Sequence, residues 1–202
     1  MANANRKALM RRLVTAQESG VGTNFKDGKY RLAVKSMSLL DGFKGSRFQA
    51  TFVPMSATKI EVQSVKTGEK LDIIPNAVGS EVDWLQMLDD KDSPGPGNIR
   101  RLLAELENKK GISDEEYDEC LQVACDVDAD GEPVKNPQYL ARGMVIDMET
   151  TRIETKKNKK EIVVQKWSYV EQSDEEKAEV ITWLSNLATH KANTSTQPRA
   201  EA

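Results

Sequence analysis

Histidine is almost missing from this chain: of 202 residues, only residue 190 is a histidine. One imidazole, His190, excludes histidine-based acid–base pairs and histidine-ligated metal clusters. Also missing are a P-loop, a G-x-S-x-G elbow and a dinucleotide-binding glycine pattern. The chain is therefore not expected to be an enzyme, and no cofactor or metal is expected. Cysteine is scarce: Cys120 and Cys125 lie five apart in a stretch that reads as helix. That spacing suits neither a strain-free disulfide nor a zinc site, and two reduced, partly buried thiols are expected. No apolar run approaches the roughly 18–20 residues of a membrane span, and the start MANANRKALMRR lacks the apolar core of a signal peptide. A cytoplasmic protein without a membrane partner is the expectation.

What the chain does have is charge, at 30% of residues against 38% hydrophobic, which reads as a globular protein with a polar surface. The net charge of −3 argues against coating of duplex nucleic acid by bulk charge. Its distribution is more telling. Residues 29–47 hold five Lys/Arg against one acid, and residues 152–166 hold six against two. Residues 113–132 hold nine acids and no base. Basic hairpins and acidic connectors are thus segregated along the chain.

Residues 3–18 read as a basic helix with the narrow apolar stripe Leu9, Met10 and Leu13, followed by a glycine-rich, flexible entry at 20–28. Residues 29–39 alternate as a half-buried strand, with Tyr30, Leu32 and Val34 on one face and Arg31, Ala33 and Lys35 on the other. The loop LDGFKGSR turns the chain, and Phe48, Ala50 and Phe52 return on the apolar face. Residues 59–65 and 78–88 read as further strands, the second carrying Val82 and Trp84, with Phe52 and Trp84 assigned to the core. Ile99, Leu102, Leu103 and Leu106 recur at helical spacing over 99–111, with Gly111 as the stop, and a second helix spans about 114–125. Strands at 143–153 and 161–170 flank the lysine-rich turn TKKNKKE. A last helix at 174–188 begins with Ser173 and Glu176 in capping-box spacing and carries Val180, Ile181, Trp183, Leu184 and Leu187. That apolar face leaves two docking partners open, the chain's own barrel or a second subunit in a homo-oligomer.

Asp126, Asp128, Asp130 and Gly131 spell the opening of a calcium loop, but Pro137 stands where the bidentate Glu must be, so a solvated acidic loop is expected. The element order is hairpin, third strand, helix, second hairpin. It predicts a mainly β fold with α additions, an OB-fold-like five-stranded Greek-key barrel with flanking helices. The expected layout is a basic N-terminal helix and linker over 1–25, a barrel over 26–170 with a helical insertion at 99–126, and a C-terminal helix and disordered tail over 171–202. In that fold oligonucleotides cross strands two and three between the first and last hairpin loops. Here those loops are the two basic windows.

Unpaired bases stack on aromatic faces while Lys and Arg hold phosphates. The candidate nucleic-acid-binding residues are therefore Arg31, Lys35, Phe43, Lys44, Arg47, Arg152, Lys156, Lys157, Lys159, Lys160, Lys166, Trp167 and Tyr169. Trp167 and Tyr169 share a strand face with Gln165 and are read as a stacking platform, although strand aromatics are more often core. The segments DGKYRLAVKSM, GSRFQATFVPM, the W-x-x-x-L strand, GNIRRLLAEL and KKEIVVQKWSY, over roughly 26–170, resemble the small OB-fold single-stranded-DNA-binding proteins of tailed bacteriophages. The resemblance implies sequence-tolerant single-stranded-DNA binding in replication or recombination, inside a bacterial host cell, with replication or recombination proteins as further partners. Many of those proteins end in an acidic or aromatic-tipped tail, whereas this chain ends TQPRAEA, so recruitment would use another element. The competing expectation is a protein-interaction or structural module, a virion or accessory protein, built on the same barrel.

Overall fold

A computed structural model describes residues 25–42, 45–87, 95–154, 159 and 161–195. The helix expected over 3–18, the tip residues Phe43 and Lys44, and Lys156, Lys157 and Lys160 lie outside the described residues. The described residues are mainly β, with a five-stranded antiparallel sheet and three helices.

The long first hairpin pairs β1 (Lys29–Gly42) with β2 (Gly45–Thr58). Its register shifts twice. At the first shift Leu32 opposes Pro54 and Met55 is skipped, which accommodates a residue that cannot donate to a ladder. At the second shift Lys35 is skipped, so Val34 and Met37 both point inward although their parity differs. A short ribbon follows, β3 (Val62–Gln63) with β4 (Lys70–Leu71), where a single longer strand was expected at 59–65. β5 (Val82–Met87) pairs with β2. β6 (Val145–Glu154) pairs with β1 and with β7 (Glu161–Tyr169), giving the order β5-β2-β1-β6-β7.

Between β5 and β6 run α1 (Gly95–Leu106) and α2 (Asp114–Cys125). α1 ends before the expected Gly111. Asn108 takes the left-handed conformation at φ 53° and the Lys109 N–H bonds back to the Ala104 carbonyl at 2.8 Å. This six-to-one closure ends the helix early, so Lys109 and Lys110 leave its axis. α2 starts on a capping box of Ser113 and Glu116. α3 (Asp174–Ser195) starts on the anticipated Ser173–Glu176 pair, with the Glu176 carboxylate accepting from the Ser173 N–H at 2.8 Å.

Two apolar layers result. The inner face of the sheet gives Leu32, Val34, Phe48, Phe52, Val82 and Ile146 to a core closed by Ile99, Leu102 and Leu103 of α1 and Tyr117 of α2. The outer face is apolar where Ala33, Val53 and Val145 meet Val180 and Leu184 of α3. The face opposite Tyr30, Leu32 and Val34, expected to be polar and basic around Arg31, Ala33 and Lys35, is thus partly apolar, and the C-terminal helix docks on its own sheet. The entry to β1 is tied down as well. Phe25 is in the core, the Lys26 N–H bonds Asn76 Oδ1, and the Gly28 N–H bonds Thr150 Oγ1. Residues 25–28 are therefore anchored, where a flexible entry was expected. No helix of the described residues is long and apolar enough to cross a membrane.

Candidate functional site

Among the described residues β5 pairs only with β2 and β7 only with β6, so the sheet leaves a seam between these two edge strands. Side chains span it where a backbone ladder would otherwise close it. The Trp84 indole N–H of β5 donates to Gln165 Oε1 of β7 at 3.3 Å, and the two rings Trp84 and Trp167 meet edge to face at 5.4 Å. At one end α1 is fastened to both strands. The Asn98 amide donates to Gln86 Oε1 of β5 at 3.1 Å, and the Glu105 carboxylate accepts the Tyr169 N–H of β7 at 3.1 Å.

Along this seam runs a half-open cleft of about 1290 Å³, walled by β5, β7, α1 and the connector after α1. That is larger than the roughly 300–1,000 Å³ of ordinary small-molecule pockets and suits an extended ligand. Phe25, Trp84 and Trp167 are among its lining residues, each less than 10% exposed. Among the described residues five cations line it, Arg100, Arg101, Lys109, Lys110 and Lys166, against one carboxylate, Glu105.

The cations differ in how firmly they are held. Arg100 bonds Asp114 at 2.6 Å and lies over the Tyr117 ring at 4.7 Å. Lys109 reaches Glu116 at 3.3 Å, and the hydrogen bond and charge of that carboxylate raise its pKa. Both acids belong to the first turn of α2, so the acidic segment reaches the cleft's own cations. Arg101, Lys110 and Lys166 are exposed and engage no carboxylate among the described residues.

Of the residues singled out in the sequence, Lys166 and Trp167 lie at the cleft. The others are spread over the fold. Arg31 forms a two-pronged bond to Asp147 at 2.9 and 3.0 Å, which raises its pKa. Lys35 binds Glu81 at 2.8 Å. Arg152 is shared between Asp27 and Glu161, and Lys159 sits 3.6 Å from Glu154. Arg47 is half-buried beside the first hairpin tip, its Nε buried without a partner. Tyr169 is 39% exposed at the end of β7.

The platform of Trp167 and Tyr169 needs correction. Trp167 is only 6% exposed, stacked on Phe52 at 5.5 Å and edge-on to Phe25 at 6.2 Å. The alternation that placed Gln165, Trp167 and Tyr169 on one face is right, but that face is the inner one. Trp167 therefore offers a ligand only the part of its ring that the cleft reaches.

Sequence reading missed Arg100, Arg101, Lys109 and Lys110. Their signal was two adjacent cation pairs at either end of an apolar helical stripe, immediately before an acidic run. The acidic loop is organised by its own backbone. Asp128 Oδ1 accepts from the N–H groups of Asp130 and Glu132, and Asp126 Oδ1 from those of Gln138 and Tyr139. Among the described residues no group of His, Cys, Asp or Glu is arranged to hold a metal. Both cysteines are free thiols, and burial pushes that of Cys125 up to about 12.

No protein-family model matches this sequence, and no curated protein matches it.

Proposed function

We propose that this protein binds single-stranded DNA without strict sequence requirement, and that the strand runs along the seam between β5 and β7. The observation that carries the reading is the cleft itself: aromatic edges and five cations facing one carboxylate in a groove between two strand edges. Aromatic rings accept unpaired bases at about 1–3 kcal/mol each, and cations neutralise the phosphates between them. A duplex keeps its bases stacked inside and could offer the cleft only its backbone.

The pairing pattern supports an OB-fold-like, partly open barrel. β1, β2, β5, β6 and β7 correspond to strands one to five of that fold, joined as one–two, two–three, one–four and four–five, with α1 between strands three and four. Ile153 and Ile162, which flank the lysine-rich stretch in sequence, line the cleft. The resemblance to phage single-stranded-DNA-binding proteins supplies replication or recombination in a bacterial cell as the proposed setting. One observation favours the rival reading of a protein-binding module. The unpaired edges of β5 and β7 flank the exposed apolar residues Leu85, Ile153 and Ile162, which an added peptide strand would cover.

Titration of labelled oligothymidine and a matching duplex at low and moderate salt tests the proposal. Selective, salt-sensitive binding of the single strand with quenching of tryptophan emission is the expected result. The triple substitution Arg101→Ala, Lys110→Ala, Lys166→Ala removes the cations without a carboxylate partner and is expected to flatten the log–log salt slope by about 2, at about 0.7 per phosphate contact. Absence of binding at low salt would overturn the proposal and leave the seam to a peptide.

A further inference from the structure

Three amide side chains stand in the cleft beside its aromatic rings: Gln86 from β5, Asn98 from α1 and Gln165 from β7. All are half-buried, and each has one hydrogen bond. The orientation of Gln165 follows from its partner. The Trp84 indole can only donate, so it takes the Gln165 oxygen and leaves the Gln165 NH₂ without a protein acceptor among the described residues. In the second pair Asn98 donates to the Gln86 oxygen, which leaves the Gln86 NH₂ and the Asn98 oxygen open. Among the described residues, the cleft lining thus holds two NH₂ groups and one carbonyl without a protein partner.

Half-buried amide donors gain most from a ligand that brings acceptors, because leaving them unpaired after water is displaced costs about 1–3 kcal/mol each. Among the bases, thymine carries two exocyclic carbonyls on either side of one N–H, cytosine carries one carbonyl, and adenine carries none. Two donors and one acceptor are what thymine's pairing edge requires.

Resting on the nucleic-acid reading above, we infer that Gln86, Asn98 and Gln165 form a base-reading subsite, so that the seam prefers thymine over adenine in single-stranded DNA. Contact with the rims of Trp84 and Trp167, which are 5% and 6% exposed, is indifferent to base identity, and the amides add the bias. Thymine runs bind many proteins well simply because they stack poorly on themselves. The test must therefore isolate the amides.

Affinities for oligothymidine and oligoadenosine of equal length, both deoxy, are measured for the full chain and for Gln86→Met and Gln165→Met. Gln86→Met leaves the tryptophan bond intact, so it remains informative if Gln165→Met perturbs folding. The expected result is a loss of about five- to tenfold on oligothymidine in either variant, with binding to oligoadenosine within about twofold of the parent. Equal losses on both oligomers, or an unchanged ratio, would overturn the subsite while sparing single-strand binding. Failure of the parent chain to bind either oligomer would remove the proposed function and the subsite with it.

Discussion

Arg152 was expected on a phosphate and is instead an internal tie. Its guanidinium holds Asp27, which is 2% exposed, and Glu161, which is 14% exposed. Removing the cation leaves a buried carboxylate unpaired, so Arg152→Met is expected to lower stability by about 3–5 kcal/mol in denaturant melts. Asp27→Asn in the same chain should recover part of that loss. Glu161 also accepts from Ser64 Oγ and the Val65 and Lys66 N–H groups, fastening the β3–β4 ribbon to the base of β7. Its bonds to Arg152, first, and to Ser64 pull its pKa from 4.5 to about 2. A depressed carboxylate stabilises the fold fully above its unfolded value and loses that contribution as pH falls through the folded one. The difference in denaturation midpoint between the parent and Glu161→Gln should be constant above about pH 4.5 and shrink steadily toward pH 2. A difference that grew on acidification would contradict this assignment.

At the scale of elements, the helices α2 and α3, on opposite sides of the sheet, have different uses. α3 covers the outer sheet face, and Gly143 makes its approach to the β6 end of the sheet possible. A Cβ there would lie 2.5 Å from Ile181 Cγ1 and 3.0 Å from the Lys177 carbonyl oxygen, at a φ of 83° that side chains rarely adopt. Gly143→Ala is therefore expected to cost about 1–3 kcal/mol and to loosen α3, read as faster amide exchange over 177–187. α2 works on the other side of the sheet. Its Asp114 occupies Arg100. If the seam carries DNA, Asp114→Asn frees that cation and should tighten oligothymidine binding by about three- to fivefold at low salt, an effect that fades as salt screens the cleft. Weaker binding in that variant would mean that Asp114 orients Arg100 for the ligand.

At the scale of the whole molecule, the two basic windows of the sequence do not form one continuous positive face. Of their described members, Arg31, Lys35 and Arg152 meet acids from other segments, Lys159 meets Glu154 of its own window, and Lys166 lies at the seam. The cations that do converge come from α1 and the connector after it, and they converge because Asn108 ends the helix early. Which charges are spent and which remain open is a property of the assembled sheet. Charge counted along the chain could locate the windows but could not identify their partners, since Arg31 and Asp147 are 116 residues apart.

Local physics was sufficient for much of the architecture. Period-two alternation marked β1, β2 and β7 and put Phe52 and Trp84 in the core, and helical spacing marked α1. The Ser173 capping box marked the start of α3, because a cap is a contact between residues three apart. Alternation also placed Trp167 with Gln165, since parity is local. Whether that shared face was buried or open was decided by curvature: the sheet brings β5 and β7 together across sequence-distant residues, enclosing Trp167 between Trp84, Phe52 and Phe25 while leaving a cleft at its rim. Parity is written in neighbours along the chain. Burial, ion pairing and the seam arise from neighbours in space, and only the tertiary structure supplies those.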